Sequence, residues 1–378
     1  MDDTAFLSAD EQRRYARHLL LPEIGLAGQQ RLKAASVLCV GGGGLGSPLL
    51  LYLAAAGVGR IGIVDGDVVE ISNLQRQVIH SSHWLGRSKV QSAAARIHEL
   101  NPNCAVDVHE QMLSIDNVID LVGAYDIVCD GTDNFPSRFL INDACVLLRK
   151  PLVYGSVQRF DGQVSVFNCS ATSPNYRDLL PEPPPPGAVP SCAEAGVMGV
   201  MPGLIGVIQA TEVIKLITGV GACLDGRLLV VDGLTMRFKE LTLKFDPTRP
   251  PINNLIDYSQ FCRAECPVVE SITVSELKHL LDTGRDDLVL LDVRQPSEAE
   301  LAVIDGSCLI PLATIESGES LDQVRALAQG KRLFVHCKLG GRSARAVQML
   351  ASHGIDAINV EGGIDAWAQQ VDSSMARY

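Results

Sequence analysis

The chain has 378 residues, of which 47% are hydrophobic and 20% charged, and a formal net charge of −12. That is the make-up of a folded globular protein with room for two domains, and its acidic balance excludes a surface that grips nucleic acid through clustered Lys and Arg. Proteins and small molecules are the expected partners.

The start, Met1-Asp2-Asp3-Thr4, has no basic patch leading into an apolar core, so no secretory signal is expected. The longest apolar stretch, residues 197–208, contains Pro202 and soon meets Gln209, Glu212 and Lys215, which reads as too short to span a bilayer. Eleven cysteines, an odd number lying mostly in apolar runs, read as reduced thiols of which one or two are catalytic. A cytoplasmic protein with no membrane and no nucleic-acid partner is the expectation.

Residues 10–34 read as one helix with Tyr15, Leu19 and Leu20 on its apolar stripe. Residues 36–40 form a short buried strand, 41–46 a glycine turn, 47–56 a helix, and 60–65 a second strand ending on a carboxylate. Strands are expected at 106–109, 126–129 and 151–154, separated by helical patterns such as 89–100. This alternation predicts an α/β fold with a Rossmann-like, mostly parallel sheet covered on both faces. Residues 173–190 contain Pro181-Glu182-Pro183-Pro184-Pro185-Pro186-Gly187, which suits neither packed helix nor central strand and reads as a mobile loop over a site. Helix returns at 197–218, with late strands at 228–232 and 239–244. Asp246-Pro247-Thr248-Arg249-Pro250-Pro251 opens a linker over 246–271 between a first domain, 1–245, and a smaller α/β domain, 272–378. In the latter, 287–293 and 332–337 are the clearest strands.

Gly41, Gly43 and Gly46 stand between strand and helix, and Asp65 ends the next strand. This is a dinucleotide fingerprint: backbone amides at a helix N-terminus meet phosphates, and the acid meets a ribose. Alone, it indicates an adenosine nucleotide more firmly than NAD. Asn73-Leu74-Gln75-Arg76-Gln77 and Lys89 follow, and Asp130-Gly131-Thr132-Asp133-Asn134 comes after the strand expected across the switch point. Cations and a carboxylate able to hold Mg²⁺ suit nucleotidyl transfer, where charge builds on the α-phosphate and the departing pyrophosphate. Each residue taken singly has an ordinary reading: Arg76 and Lys89 as solvated charges, Asp133 as a helix cap, Arg17 as a surface arginine.

From residue 8 to 245 the chain resembles the MoeB/ThiF family, relatives of ubiquitin-activating enzymes that adenylylate the C-terminal glycine of a ubiquitin-like sulfur carrier protein. The resemblance is carried by Arg14-Tyr15-Ala16-Arg17-His18, the glycine turn, Asp65-Gly66-Asp67, Asn73-Leu74-Gln75-Arg76-Gln77, Gly86-Arg87-Ser88-Lys89-Val90, Thr132-Asp133-Asn134 and Cys192-Ala193-Glu194-Ala195-Gly196-Val197. It implies that Gly41, Gly43 and Gly46 admit the ATP phosphates and that Asp65 binds the ribose, with Asp67 in the same cofactor-binding set. It further implies that Arg76 and Lys89 hold phosphates, Asp133 holds Mg²⁺ and Asn73 orients the reacting groups. Arg17 would reach the γ-phosphate in the neighbouring subunit, which makes the protein a homodimer.

Many members hold a structural zinc in two CxxC pairs. Here three of the four ligand positions are Asn175, Asp178 and Val269, beside Cys266, while Cys169 and Cys262 belong to no pair. Tetrahedral zinc needs four N or S donors, so no zinc is expected and the crossover loop, about 168–192, is left to be disordered. Cys192 ends that loop, where members often carry a cysteine that engages the activated carrier; a buried inert thiol is the other reading.

Residues 272–378 resemble a single rhodanese domain through Asp292-Val293-Arg294, Pro296, Glu298, Ile304-Asp305-Gly306, Ile310-Pro311, His336-Cys337 and Gly362-Gly363-Ile364-Asp365-Ala366-Trp367. The loop from Cys337 to Arg342 runs into a helix, whose amides and dipole suit a thiolate and then a persulfide. Its CxxxxR spacing is one residue tighter than the CxxxxxR of related phosphatases, which favours sulfur over phosphate. The two resemblances imply MgATP-dependent adenylylation of a carrier carboxylate, then sulfur transfer from a Cys337 persulfide to give a thiocarboxylate, with Cys192 resolving an acyl disulfide. A cysteine desulfurase or thiosulfate would reload Cys337, and the tether raises the persulfide's effective concentration. A MoaD-like carrier in molybdenum cofactor biosynthesis is the first expectation, with ThiS-like carriers or carriers for cysteine synthesis or tRNA thiolation as alternatives. The rival classes are an NAD-dependent oxidoreductase with a regulatory rhodanese module, and a non-catalytic scaffold.

Overall fold

The structure is a computed structural model that describes residues 6–184, 196–262, 269–284 and 287–377 in two compact units, one of residues 6–183 with 196–262, the other of 269–377. In the first unit, β1 (Ser36–Val40), β2 (Arg60–Val64), β3 (Ala105–His109), β4 (Ile127–Asp130) and β5 (Leu152–Gln158) run parallel in the order β3-β2-β1-β4-β5. Val37, Leu38, Cys39, Val128 and Cys129 are fully buried, as central parallel strands with both faces covered must be.

Three antiparallel strands, β6 (Asp161–Phe167), β7 (Arg227–Asp232) and β8 (Arg237–Thr242), extend the sheet beyond β5. Sequence patterning missed β6. The turn that joins it to β5 is Arg159-Phe160, with Arg159 at φ 54°, and no Gly or Asn announces it.

The single helix expected over 10–34 is three pieces: α1 (Ala9–Arg14), α2 (Ala16–Leu19) and α3 (Gly25–Ala34). The chain bends at Tyr15, whose buried hydroxyl accepts a 2.8 Å hydrogen bond from Asn101, and turns again around Pro22. Helices α4 (Gly46–Ala56), α5 (Lys89–Leu100), α6 (Val118–Gly123) and α7 (Phe135–Leu148) follow the parallel strands. After the short α8 (Tyr176–Leu179) comes α9 (Val200–Thr218), which outruns the apolar stretch read from sequence and, at 19 residues, is long and apolar enough to cross a bilayer. It packs instead on α4, β5 and β6. Two of its buried polar side chains bond inside the protein: the Gln209 amide N–H donates to the Asp130 carbonyl at 2.8 Å, and Glu212 accepts from the Leu224 N–H at 2.8 Å.

Two sequence expectations fail here for the same reason, that prolines hid local packing signals. The first part of the supposed mobile loop, residues 173–180, is packed. Asn175 and Asp178 close a capping box on α8, and Tyr176, 2% exposed, sits among Phe139, Tyr154 and Phe167. Residues 185–195, Cys192 among them, lie outside the described residues. The supposed linker also starts late, because Leu255, Ile256, Tyr258 and Phe261 pack into the first unit's core beside α10 (Tyr258–Cys262).

In the second unit β9 (Ser271–Ile272), β10 (Leu288–Asp292), β11 (Cys308–Leu309), β12 (Arg332–His336) and β13 (Ile358–Val360) form one parallel sheet in the order β11-β10-β12-β13-β9. Alternation divides its core: Leu333 and Val335 face one cluster with Val347 and Leu350, whereas Phe334 faces the other with Leu277 and Trp367. Helix α11 (Val274–Thr283) is capped by Thr273 and Glu276, and α12 (Pro296–Ala299), α13 (Leu312–Glu316), α14 (Leu321–Ala328), α15 (Gly341–Ser352) and α16 (Gly363–Gln370) complete the unit.

Candidate functional site

In the first unit the strand order reverses between β1 and β4, so the turns that leave them meet at the carboxyl edge of the sheet. They meet closely. Gly41 has φ 97°, and a Cβ there would lie 2.7 Å from the Gly131 carbonyl; one on Gly46 would collide with the Gly41 carbonyl. Glycine is required at both positions by the approach of backbone to backbone.

The pocket over this crossing contains about 900 Å³ of space, its open mouth included, and is lined by Gly41, Gly43, Asp65, Asp67, Arg76, Lys89 and Asp133 among others. Asp65 accepts from the N–H groups of Gly42 at 2.8 Å and Asp67 at 2.9 Å, which fixes the carboxylate at the end of β2. Lys89, 7% exposed, reaches Asp67 at 2.7 Å, so it is no ordinary solvated charge. Arg76 donates to the Ser72 carbonyl at 3.0 Å from the pocket wall. The cap of α7 is Asn134, which accepts from the Ser137 N–H at 3.0 Å; Asp133 beside it is exposed to the pocket.

Three expected residues stand outside the lining. Gly46 starts α4 behind the turn. Asn73 is buried, and its side-chain oxygen accepts from the Glu70 N–H at 3.2 Å. Arg17 is exposed on α2, away from its own chain's pocket. Gln77, Thr132 and Arg138 also line the pocket; the first two stand in the family motifs without a role given to them, and sequence reasoning missed Arg138. Arg138 is 8% exposed, donates to the Thr132 carbonyl at 3.1 Å and lies 3.6 Å from Asp130. Burial raises the Asp130 pKa, against the pull of Arg138 and Thr132. The signal was available, since Arg138 falls one turn after the Asn134 cap, on the face of α7 that looks back to β4.

Near α8 the family's zinc-ligand positions hold other bonds. Asn175 accepts from the Arg177 N–H at 2.9 Å, and Asp178 takes the Asn175 and Asp246 N–H groups at 2.8 and 2.9 Å and the Arg249 guanidinium at 2.9 Å. Donors so engaged do not fit a zinc ion. Cys266 lies outside the described residues, which contain no cluster of three or more His, Cys, Asp or Glu able to hold a metal. Cys39, Cys129 and Cys145 are core thiols whose pKa values burial pushes up, as their apolar runs predict.

In the second unit Cys337 follows the central strand β12, and its fully buried Sγ accepts from the Gly340 N–H at 3.1 Å and the Ser343 hydroxyl at 3.4 Å. Gly340, at φ 100°, turns the loop so that α15 starts against the sulfur. Arg342 pairs with Glu298 through two hydrogen bonds of 2.6 and 2.8 Å. Beneath the loop, buried Arg294 and Asp292 pair at 2.5 to 3.0 Å, and His336 lies 3.9 Å from Asp292. Burial, assisted by Arg294 and opposed by Asp292, holds the His336 pKa below its ordinary value.

Both units have counterparts among known proteins. The chain belongs to the ThiF family, whose model matches residues 15–251, and it carries a rhodanese-like domain matched over residues 273–370. It is 50% identical over 388 residues to the probable adenylyltransferase/sulfurtransferase MoeZ of Mycobacterium tuberculosis, covering 100% of this chain and 98% of that protein. It is 42% identical over 412 residues to the mouse (Mus musculus) adenylyltransferase and sulfurtransferase MOCS3, covering 99% of this chain and 89% of that protein. A crystal structure of E. coli MccB with ATP shares the fold, with a TM-score of 0.55 and 20% identity over 66% of this chain and 75% of that one.

Proposed function

We propose that this chain activates the C-terminal carboxylate of a ubiquitin-like sulfur carrier with ATP and converts it to a thiocarboxylate. Its relatives across both domains are named adenylyltransferase and sulfurtransferase, and those two activities are assigned to this chain. The observation that carries the reading is the convergence of Gly41 and Gly43 with Arg76, Lys89 and Asp133 at the β1/β4 switch point.

In the first reaction a carrier carboxylate oxygen attacks the α-phosphorus of ATP and pyrophosphate leaves. The Gly43 amide, Arg76 and Lys89 meet the charge on the phosphates, and Asp65 meets the ribose. Asp133, with its carboxylate on the pocket, would hold Mg²⁺, which would neutralise phosphate charge there. Activation is needed because carboxylate oxygen leaves poorly from carbon, whereas AMP leaves readily. In the second reaction the terminal sulfur of a Cys337 persulfide attacks the acyl carbon, AMP departs, and an acyl disulfide forms. Thiolate attack on the Cys337 sulfur breaks the S–S bond and frees the thiocarboxylate; with Cys192 as the attacking thiol, a Cys192–Cys337 disulfide results and an external thiol reduces it. A cysteine desulfurase or thiosulfate reloads Cys337.

A MoaD-like carrier and molybdenum cofactor biosynthesis are the first assignment. Exposure of Arg17 away from its own pocket supports a homodimer in which it serves the partner's ATP, and the protein works in the cytoplasm without zinc. Incubating it with MoaD-like, ThiS-like and tRNA-thiolation carriers, ATP and a sulfur donor tests the reading by mass spectrometry. One carrier should exchange one oxygen for sulfur; if none does, and none supports ATP–pyrophosphate exchange, the reading fails.

A further inference from the structure

Behind the glycine turn, on the side away from the pocket, lies a histidine that no part of the proposed reaction uses. His80 is 7% exposed, with Nε2 2.9 Å from the Gly42 carbonyl and Nδ1 3.0 Å from the Ser92 hydroxyl. A carbonyl can only accept, so Nε2 carries the proton and Nδ1 receives the hydroxyl hydrogen. Burial, with Lys89 adding to it, lowers the His80 pKa against the Gly42 bond and Asp65, so this neutral tautomer is the one the fold holds.

The Gly42 residue is thus pinned at both ends, its N–H by Asp65 at 2.8 Å and its carbonyl by His80. In a trans peptide the C=O and the following N–H point in opposite directions, and the described residues contain no cis peptide bond. With the Gly42 carbonyl drawn back to His80, the Gly43 N–H is turned the other way. Gly43 and Gly44 line the pocket, whereas Gly42 does not. Ser92, the second partner of the ring, lies one turn along α5 from Lys89. One imidazole therefore joins the amide face of the glycine turn to the helix that carries the buried lysine.

We propose that His80 is a positioning residue for the polyphosphate of the bound nucleotide: it orients the Gly42–Gly43 peptide so that the Gly43 N–H faces the phosphates, and keeps Lys89 in register with it. The inference rests on the reading of this pocket as the ATP site. It makes a distinction that a purely structural histidine would not, because adenosine, which has no phosphates, should be indifferent to it.

Full-length native protein, His80→Phe and His80→Gln are compared for binding of ATP and of adenosine by calorimetry, with thermal melting as a control. His80→Phe keeps the ring volume without the donor and should weaken ATP about ten-fold while adenosine affinity stays within about two-fold. His80→Gln restores an N–H towards Gly42 and should recover ATP affinity to within about three-fold of native. Should His80→Phe fail to fold, Ser92→Ala, which removes the hydroxyl that fixes the tautomer, is expected to weaken ATP about three-fold with adenosine again unchanged. Native-like ATP binding in folded His80→Phe, or in Ser92→Ala where it takes that variant's place, or equal losses for ATP and adenosine, overturns the role of His80. A native protein that binds no ATP overturns the pocket reading itself.

Discussion

Glu298 and Arg342 face each other as a two-pronged ion pair, with both side chains only 14% exposed. Arg342 closes the loop that begins at Cys337, so Glu298 ties the far end of the sulfur cradle to α12. That short helix is itself held, since Glu298 also accepts from the Gln295 N–H at 3.0 Å and its carbonyl accepts from Arg294 at 3.2 Å. Sequence reasoning set Arg342, at the end of the CxxxxR loop, among the cofactor-binding residues, and the structure pairs its guanidinium with the Glu298 carboxylate. Glu298→Gln should lower thiosulfate-to-cyanide sulfur transfer by about ten-fold through a looser loop, with ATP–pyrophosphate exchange unaffected. Unchanged transfer would show that the loop keeps its form without the pair.

The two reactions belong to different units and should separate by mutation. Lys89→Ala and Asp133→Asn are each expected to reduce carrier-dependent ATP–pyrophosphate exchange by about a hundred-fold, because on the proposed reading the first removes a positive charge from the phosphates and the second the carboxylate that would hold Mg²⁺. Sulfur transfer from thiosulfate should persist in both. Cys337→Ser should do the reverse, abolishing sulfur transfer while exchange continues. Loss of both activities in any of these variants argues against the division.

Much of this was legible in the chain because the strand before each reactive turn is short and largely apolar and the turn that leads into the helix contains glycine. Strand β1 occupies the residues its pattern marks, and the turn after it contains the glycines that the crossing of β1 and β4 demands. Arg138 was harder to see because its meaning depends on Asp130, Tyr154 and Tyr176 converging from separate elements. His80 was harder still, being one ordinary residue whose two partners lie 38 and 12 positions away. The packed segments at 173–180 and 255–262 were obscured by the prolines around them, which dominate local reading while the decisive contacts are long-range.

Those two segments are clasped together by side chains around Asp143. Arg177 gives Asp143 two hydrogen bonds of 2.9 and 2.7 Å, the Tyr258 hydroxyl gives it a third at 2.8 Å, and the guanidinium lies 5.1 and 4.9 Å from the ring centres of Phe139 and Phe261. Asp143 is almost fully buried, so these donors take the place of water around its carboxylate. Asp143→Ala should cost about 4 kcal/mol and Tyr258→Phe about 2 kcal/mol in the unfolding of the first unit. Removing metal ions with EDTA should leave its melting temperature unchanged. A lower melting temperature after chelation, restored by zinc, would overturn the zinc-free assignment.

His336, fully buried under the Cys337 loop, couples stability of the second unit to pH. Its folded pKa is lowered from 6.5, chiefly by burial, so the unfolded chain takes up a proton that the folded unit refuses. Stability should therefore be constant above that value and fall as pH drops below it, by up to about 1.4 kcal/mol per pH unit, until the folded pKa is reached. Glu298 acts in a different window. Burial alone would raise its pKa, but the bonds from Arg342 and Gln295 lower it below 4.5, so the stability it supplies is complete above 4.5 and lost only in stronger acid. Urea unfolding between about pH 5 and 7.5 isolates the histidine. Of the two tryptophans, Trp84 lies in the first unit and Trp367 in the second, so fluorescence in a Trp84→Phe background reports the second unit alone. The native second unit should lose stability towards pH 5, and His336→Asn should flatten that dependence; an equally steep slope in the variant would place the proton uptake on another group.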